Sequence, residues 1–337
     1  MVERFTTAPI EVYGDPDVYA RERERIFARS WQFLGLKADL PRAGDYLADV
    51  LAGYPVVVVR DEKGKLRGYH NVCRHRAGPL VGDTKGHCDH EFVCQYHDWT
   101  YSFDGHLKNA TGFDPADGLN LQALNLFPIK VETWRDFVFV NLDAGSSSLA
   151  ELLRPLDEKL GHQQPHRSAR VRDRHSIACN WKVYTENYLD GYHRQGVHPA
   201  LASEEGARRI NIHMEGNVAL CEAPKRSGGG GGVWAWVWPN LGIRVYRGVL
   251  LIEHIRPEGP GRTLIDHVFL HEPEDPGVDA AISHSEQITE EDSWICERVQ
   301  QNLDAGIYRQ GVLSPSHEDA VAWFQGHAAQ AAAKEQS

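Results

Sequence analysis

Residues 71–99 concentrate side chains that bind metals. The segment NVCRHRAGPLVGDTKGHCDHEFVCQYHDW holds three cysteines and four histidines. Cys73 and His75 form a C-x-H pair and Cys94 and His97 form a C-x-x-H pair, so each pair offers one thiolate and one imidazole. Structural zinc knuckles generally pair cysteine with cysteine, whereas a 2Fe-2S cluster with two inequivalent irons takes both cysteines on one iron and both histidines on the other. The pattern favours iron, and a zinc knuckle made from any four of the seven stays open as the alternative.

A further C-x-H pair, Cys88 and His90, lies between the two outer pairs. Only residues 91–93 separate it from Cys94, which is too short a return path for two loops that reach a cluster from opposite sides. Cys73 is far enough away for a strand and a turn to intervene. We therefore predict four cluster ligands from the outer pairs: Cys73, His75, Cys94 and His97. Three residues are predicted to be bystanders: His87, Cys88 and His90.

A second group of candidate ligands lies in NWKVYTENYLDGYHRQGVHPAL. On a continuous helix, Asn187, Asp190 and His193 are spaced by three and share a face. His198 precedes Pro199, which biases it out of the helical region. We predict that His193 projects from the last turn of the helix and that His198 returns from the following loop. Two imidazoles and one carboxylate, with positions left open, form the facial triad of non-haem Fe(II) oxygenases.

The carboxylate of such a triad must come from another part of the chain. The segment TEEDSWICERVQ offers three acidic candidates, Glu290, Glu291 and Asp292. Acidic residues at the start of a helix are also favoured by the helix dipole. The residues alone do not choose among the three.

These motifs resemble those of Rieske oxygenases. The runs CRHRAGPL and CQYHDWTYSFDGHL are similar to the two cluster-binding limbs of that family, whose second limb usually reads C-P-Y-H-G-W. Gln95 and Asp98 depart from this pattern, and neither is a ligand. Asp98 adds a carboxylate beside a cluster histidine, where it can alter the potential of the cluster or a pKa.

The resemblance extends to the second group, as N-W-K…E-N-x-x-D-x-Y-H-x4-H, and to a late helix in which an aspartate stands five residues before a glutamate. It implies that Asp292 completes the iron triad with His193 and His198, with Glu291 as the fallback. It also implies that Asp190 bridges a cluster histidine and an iron histidine across the interface of a head-to-tail trimer, with Asn187 nearby.

The resemblance implies a terminal oxygenase with a Rieske 2Fe-2S cluster and Fe(II). Electrons from NAD(P)H would arrive through a separate reductase, with or without a ferredoxin, and O2 would be the oxidant. The chain has no G-x-G-x-x-G element for a nicotinamide or flavin. The alternative is a Rieske-type electron-transfer protein or a zinc-binding protein without oxygenase activity.

The order of strand-like and helix-like patterns along the chain predicts an α+β protein. Short β-branched runs precede a second half that mixes strands and helices. We expect a helical lead-in at 1–34 packed on the catalytic domain, an all-β Rieske domain at 35–144 and a catalytic domain at 145–337. For the last, the resemblance implies an antiparallel sheet with helices of the helix-grip type.

Composition limits the partners. The formal net charge is −11 and no long basic run occurs, which argues against nucleic acid or an anionic membrane. The N-terminus has neither a basic nor an apolar leader segment, so we expect a cytoplasmic protein.

The run VWAWVWPN places Trp234, Trp236 and Trp238 on one face of a strand. The three indoles could line a pocket for a flat aromatic or form a cage for a quaternary ammonium, with Asn240 and Tyr246 reaching the same cavity. Packing in the core or in a trimer interface is the equally favoured alternative. The overall texture is most similar to the choline and glycine-betaine monooxygenase and aromatic-acid oxygenase branch. We therefore expect a homotrimer. Its favoured reaction is hydroxylation or demethylation of a small polar molecule. Dihydroxylation of an aromatic hydrocarbon, as in aromatic hydrocarbon catabolism, is the less favoured alternative.

Overall fold

The computed structural model describes residues 5–114, 117–118, 120–160, 169–198, 212–223, 232–246, 249–272 and 277–332. The chain divides into two compact units. One unit is Phe27–Glu151, and the other combines the described residues of Met1–Ile26 and Leu152–Ser337.

The unit Phe27–Glu151 is built from antiparallel strands. In chain order they are β1 Gln32–Leu36, β2 Asp45–Leu51, β3 Tyr54–Arg60, β4 Leu66–His70, β5 Lys85–His87, β6 Glu91–Val93, β7 Thr100–Ser102, β8 Leu107–Asn109, β9 Pro128–Trp134 and β10 Phe137–Asn141. Seven of these form a sheet in the order β1-β10-β9-β4-β3-β2-β5, and β6-β7-β8 form a small second sheet. The unit extends past the predicted range of 35–144 at both ends. At the N-terminal end, the reason is that β1 pairs with β10 and so belongs to the sheet.

The core of this unit is arranged around β3. Its run of four valines is fully buried, and β-branched side chains favour strands. Successive side chains of a strand point to opposite faces. Accordingly, Val57 and Val59 pack into one cluster with Tyr46 and Trp99, while Val56 and Val58 belong to a second cluster.

Each of the two predicted cluster-binding limbs lies on a loop that follows a short strand. The first follows β4, where the N–H of Cys73 donates to the carbonyl of Gly78 (2.8 Å). The second joins β6 to β7, where the N–H of Cys94 donates to the carbonyl of Trp99 (2.9 Å). The strands β5 and β6 occupy the stretch between the limbs, and that stretch carries Cys88 and His90.

The other unit contains a separate seven-stranded sheet and helices. Its strands are β11 Ala169–Ile177, β12 Ile212–Glu215, β13 Val218–Ala223, β14 Gly232–Val237, β15 Leu241–Tyr246, β16 Val249–Gly259 and β17 Arg262–His271. They pair antiparallel in the order β11-β17-β16-β15-β14-β13-β12. The described residues form the helices α1 Pro16–Glu22, α2 Leu149–Leu160, α3 Trp181–Leu189, α4 Arg194–Val197, α5 Val278–Asp304 and α6 Asp319–Ala332. The α+β class, with an all-β module followed by an antiparallel sheet with helices, is confirmed.

Buried polar contacts attach the N-terminal segment to α3. The hydroxyl of Tyr13 donates to Glu186 (2.9 Å), and the ammonium of Lys182 donates to Glu22 (2.6 Å). All four residues belong to the same compact unit. None of the helices in the described ranges is long and apolar enough to cross a membrane.

The helix that precedes the second group of ligands is shorter than predicted. The side chain of Asn180 caps α3 by accepting from the N–H of Lys182, and the helix ends at Leu189 with Asp190 in an extended conformation. His193 then precedes the one-turn helix α4, and His198 follows it. The prediction of one continuous helix through His193 was wrong, because the chain leaves the helical region at Asp190.

Candidate metal centres

The four predicted cluster ligands meet between the two limb loops. Cys73 and Cys94 are buried, while His75 and His97 are half-buried. The two imidazole centroids lie 4.5 Å apart, and the ring of His75 stacks on that of Trp99 at 4.8 Å. Buried thiols on one side and partly exposed imidazoles on the other match the asymmetry of a Rieske centre.

The space between the limbs suits a 2Fe-2S cluster. The side-chain Nδ1 of His75 is buried and has no hydrogen-bond partner in the part of the chain that the structure describes, so it is available as a ligand. A Cβ atom at Gly78 would lie 3.1 Å from Sγ of Cys94 and 2.8 Å from Cβ of Tyr96, so only glycine keeps this cradle open. The hydroxyl of Tyr101 lies 3.2 Å from Sγ of Cys73, where it can donate to a thiolate. Neither Gly78 nor Tyr101 was predicted from the sequence, although the glycine stands in the CRHRAGPL motif.

The predicted bystanders make contacts away from the limbs. Nδ1 of His87 is 2.8 Å from Oδ1 of Asp45, and His90 is exposed. Cys88 packs against the core, and burial raises the pKa of its thiol. Their exclusion from the ligand set stays a prediction that these contacts support.

Asp98 has a backbone reason for standing where the family usually has glycine. Its φ is 55°, in the left-handed region that glycine adopts freely and that aspartate tolerates better than most residues. Its N–H donates to the carbonyl of Cys94 (3.0 Å), and its own carbonyl accepts from Thr100 and Thr111. The turn of the second limb is therefore kept, with a carboxylate added next to His97.

The second site brings three donor atoms together. Nε2 of His193 and Nε2 of His198 are 3.2 Å apart, and Oδ1 of Asp292 lies 3.5 Å from the first and 3.0 Å from the second. An ion about 2.1 Å from each donor would set neighbouring donors about 3.0–3.4 Å apart. The three side chains therefore fit one mononuclear iron, with its remaining positions open.

Other polar side chains hold these donors in place. Nδ2 of Asn187 donates to Oδ1 of Asp292 (2.7 Å), and Nδ1 of His198 donates to Oε2 of Glu291 (2.6 Å). Oδ2 of Asp190 lies 3.6 Å from Nδ1 of His193, beyond a direct hydrogen bond but close enough for attraction. Carboxylates that bind the outer nitrogen of a ligating histidine fix its tautomer and orientation. From the sequence, Glu291 was predicted only as a fallback ligand, and its positioning role was not predicted.

The charges of the site are arranged for a cation. Burial by itself raises the pKa of Asp292, but hydrogen bonds from His193, His198 and Asn187 outweigh it and hold that pKa well below its usual range. Burial lowers the pKa of His193, whereas the carboxylates of Asp190 and Asp292 raise it to about 9. A cation between the imidazoles would replace the proton that these carboxylates attract.

Trp234 and Trp236 lie in β14 and Trp238 follows it. All three tryptophans pack against α3. The ring of Trp234 stacks on Tyr188 of α3 at 5.2 Å, and that of Trp236 lies 5.1 Å from the same ring and is fully buried. Trp238 is buried against Trp181 of α3, 6.4 Å between ring centroids. Trp236 and Trp238 make the contacts of core residues, which was one of the two interpretations left open, whereas Trp234 is half-buried.

The other two predicted pocket residues differ in what the structure describes. The amide nitrogen of Asn240 donates to the carbonyl of Ile255 (2.8 Å) and lies 3.2 Å from Nε2 of His254, inside the sheet unit. The side chain of Tyr246 lies outside the part of the chain that the structure describes.

Comparison with known proteins gives two matches to family models and several similar proteins. The Rieske [2Fe-2S] domain model matches residues 30–128, and the model for the catalytic domain of the ring hydroxylating alpha subunit matches 165–224 and 207–334. A chloroplastic choline monooxygenase of Atriplex hortensis is 31% identical over 92% of this chain and 74% of its own length.

Two groups of solved structures are similar to the chain. The quaternary ammonium Rieske monooxygenase CntA, in complex with its substrate L-carnitine, superposes with a TM-score of 0.84 at 26% identity, covering 97% of this chain and 96% of that one. Naphthalene 1,2-dioxygenase from a Rhodococcus species superposes with a TM-score of 0.81 at 21% identity, covering 98% and 95%. The second likeness is one of fold alone.

Both family models carry cofactors that the two sites suit, namely a Rieske 2Fe-2S cluster and a mononuclear iron. An electron-transfer or zinc-binding protein without oxygenase activity would not match the catalytic model. The chain therefore belongs to the Rieske oxygenases with a ring-hydroxylating alpha-subunit catalytic domain, and it is a Rieske non-haem iron oxygenase.

Proposed function

We propose that this chain is the terminal oxygenase component of a multicomponent enzyme that monooxygenates a small quaternary ammonium compound. The observation that carries the substrate class is the similarity over nearly the whole chain to proteins whose names give such substrates, choline in one case and L-carnitine in another. The likeness to naphthalene 1,2-dioxygenase supports the fold and gives no support to an aromatic hydrocarbon as substrate.

We assign the iron ligands to His193, His198 and Asp292. Fe(II) held by such a triad supplies O2 activation at its open positions. Of the protein groups around it, Glu291 orients His198, and Asn187 holds the oxygen of Asp292 that faces both imidazoles. The distances between the three donor atoms, 3.0 to 3.5 Å, support the assignment.

We assign the cluster ligands to Cys73, His75, Cys94 and His97. The close approach of the two histidine rings and the narrow cradle at Gly78 support this choice over any set that includes Cys88 or His90. The half-buried imidazoles would be the side of the cluster from which electrons leave.

Electron supply and assembly complete the proposal. A separate NAD(P)H-dependent reductase would deliver electrons, and a homotrimer would place the cluster of one subunit beside the iron of the next. Asp190 is the candidate bridge, because its carboxylate is half-buried beside Nδ1 of His193, which has no hydrogen-bond partner among the described residues. Asp190→Asn should leave both metals bound while slowing turnover severely, and near-native turnover would remove the assignment.

The substrate class is tested by O2 and NADH consumption with a surrogate reductase. We expect substrate-dependent consumption of O2 and NADH with choline, glycine betaine or carnitine. The uncharged analogue 3,3-dimethylbutanol serves as the matched control for choline, since it keeps the shape and lacks the cation. Equal turnover of choline and this analogue, or turnover of naphthalene alone, would contradict the proposed substrate class.

A further inference from the structure

A second set of metal-binding side chains lies at the edge of the catalytic sheet. Asp173 and His175 form a D-x-H pair on the edge strand β11, where alternate residues are exposed and these two turn inward. His267 stands directly opposite Asp173 on the neighbouring strand β17. One donor atom from each of the three side chains lies within 4.8 Å of the other two. None of the three belongs to the iron triad or to its supporting residues.

His267 is buried without the partners that a histidine needs. Its exposed fraction is 0%, and neither ring nitrogen has a hydrogen-bond partner among the described residues. The nearest carboxylate outside the set, Glu253, is 3.7 Å away and already accepts from Tyr184 (2.9 Å) and Arg244 (2.8 Å). A buried polar group with no hydrogen bond is strongly unfavourable, so such a residue in a folded protein indicates a missing partner.

The other two side chains approach each other without a proper hydrogen bond. Oδ2 of Asp173 lies 2.6 Å from Nε2 of His175, yet the angles leave that nitrogen without a hydrogen-bond partner among the residues described. The rings of His175 and His267 are 5.5 Å apart at 64°. The donor atoms are close together, but their geometry does not allow hydrogen bonds between them. A metal ion placed among them would satisfy these atoms better than direct contacts do.

We propose that Asp173, His175 and His267 bind a divalent transition-metal ion in addition to the iron of the oxygenase. Two imidazoles with one carboxylate favour Zn²⁺ and its first-row neighbours over Mg²⁺ and Ca²⁺, which prefer oxygen ligands. An ion about 2.1 Å from each donor needs the donors about 3.0–3.4 Å apart, so the Asp173–His175 pair opens slightly and His267 closes in. The bound ion joins the edge strand β11 to β17 and leaves at least one position for water.

The test is zinc binding to the iron-loaded holoenzyme. Equilibrium dialysis against micromolar Zn²⁺, followed by elemental analysis of zinc and iron, should show one zinc per chain with no loss of iron. X-ray absorption at the zinc edge should show nitrogen and oxygen ligands and no sulfur, which separates this site from the cysteines. Thermal unfolding should shift to higher temperature as zinc is added.

Substitutions at Asp173 and His175, which are half-buried, disturb folding less than a substitution of the buried His267. His175→Ala and Asp173→Ala should weaken zinc binding at least about tenfold, because loss even of an outer partner weakens metal sites about 10–100-fold. Both should retain the iron and the visible spectrum of the cluster. The matched control is His213→Ala, which removes an exposed strand histidine from the same sheet and should bind zinc like the wild type.

Three results would overturn the proposal. One is the absence of zinc binding at micromolar concentration, and another is zinc bound only in exchange for lost iron, which would place it at the triad of His193, His198 and Asp292. The third is unchanged affinity in both His175→Ala and Asp173→Ala. A zinc site that depends on these residues but not on His213 supports it.

Discussion

Replacing Glu291 with alanine tests how the protein positions His198, one of the proposed ligands of the iron. Nδ1 of His198 donates to Oε2 of Glu291 over 2.6 Å, and the His198 side chain is only 2% exposed. Without the carboxylate, a buried N–H loses its partner at a cost of about 1–3 kcal/mol. Since 1.36 kcal/mol corresponds to a factor of ten, this cost predicts iron binding about 10–100-fold weaker.

The assay is release of Fe(II) to a chelator under anaerobic conditions. The 2Fe-2S cluster in the same chain reports by its visible absorption that the protein stays folded and loaded. Glu291→Gln should fall between the wild type and Glu291→Ala, because an amide oxygen still accepts the hydrogen bond but carries no charge. Glu290→Ala is the matched control, since Glu290 is the exposed neighbour on the same helix.

Glu291 does not position His198 if Glu291→Ala retains iron as tightly as Glu290→Ala does. The assigned roles are also refuted if Glu291→Ala loses iron completely while Asp292→Ala keeps it. That outcome would make Glu291 the ligand and Asp292 its support.

Three further predictions concern single positions. Gly78→Ala should lower the 2Fe-2S content of purified protein, measured by iron and sulfide analysis, because its Cβ would meet Sγ of Cys94 at 3.1 Å. Asp98→Gly should stabilise the chain by up to about 1 kcal/mol, since glycine adopts a φ of 55° freely. The same change should raise the reduction potential of the cluster by removing a negative charge, and redox titration with an unchanged potential would contradict this. Burial, opposed by a hydrogen bond from Tyr13, raises the pKa of Glu186 from 4.5 to about 7, so the folded chain keeps a proton that the unfolded chain has lost. The unfolding free energy of the wild type should therefore fall by up to about 3 kcal/mol between pH 4.5 and 7. Chemical denaturation at pH 5 and pH 8 measures this difference. The variant Glu186→Gln should show no such loss, because it has no carboxyl group to titrate.

The ligand types and their local spacing were accessible from the sequence. Each limb combines a cysteine and a histidine a few residues apart, and this spacing predicts that each short loop presents one thiolate and one imidazole to a cluster. Strand character was equally readable, since runs such as the valines of β3 have a strong β preference. The α+β class followed from the same local patterns, which depend on neighbours in the chain and little on distant contacts.

Long-range contacts decided what local patterns could not. Glu291 and Asp292 are adjacent, and consecutive residues of a helix differ by about 100° in direction, so one turns toward Nδ1 of His198 and the other toward both Nε2 atoms. The helix before His193 looks continuous in sequence, yet it ends at Leu189, and a second short helix separates the two histidines.

The pairing of distant strands is the other thing that only the tertiary structure decided. Asp173 and His175 form an unremarkable D-x-H pair, and His267 lies 92 residues beyond His175 in the sequence. Strand register places His267 opposite Asp173, and burial removes the water that would otherwise satisfy its nitrogens. The sequence by itself thus determined which chemistry each segment offers, while the folded chain decided which side chains meet, because register and burial depend on the whole sheet.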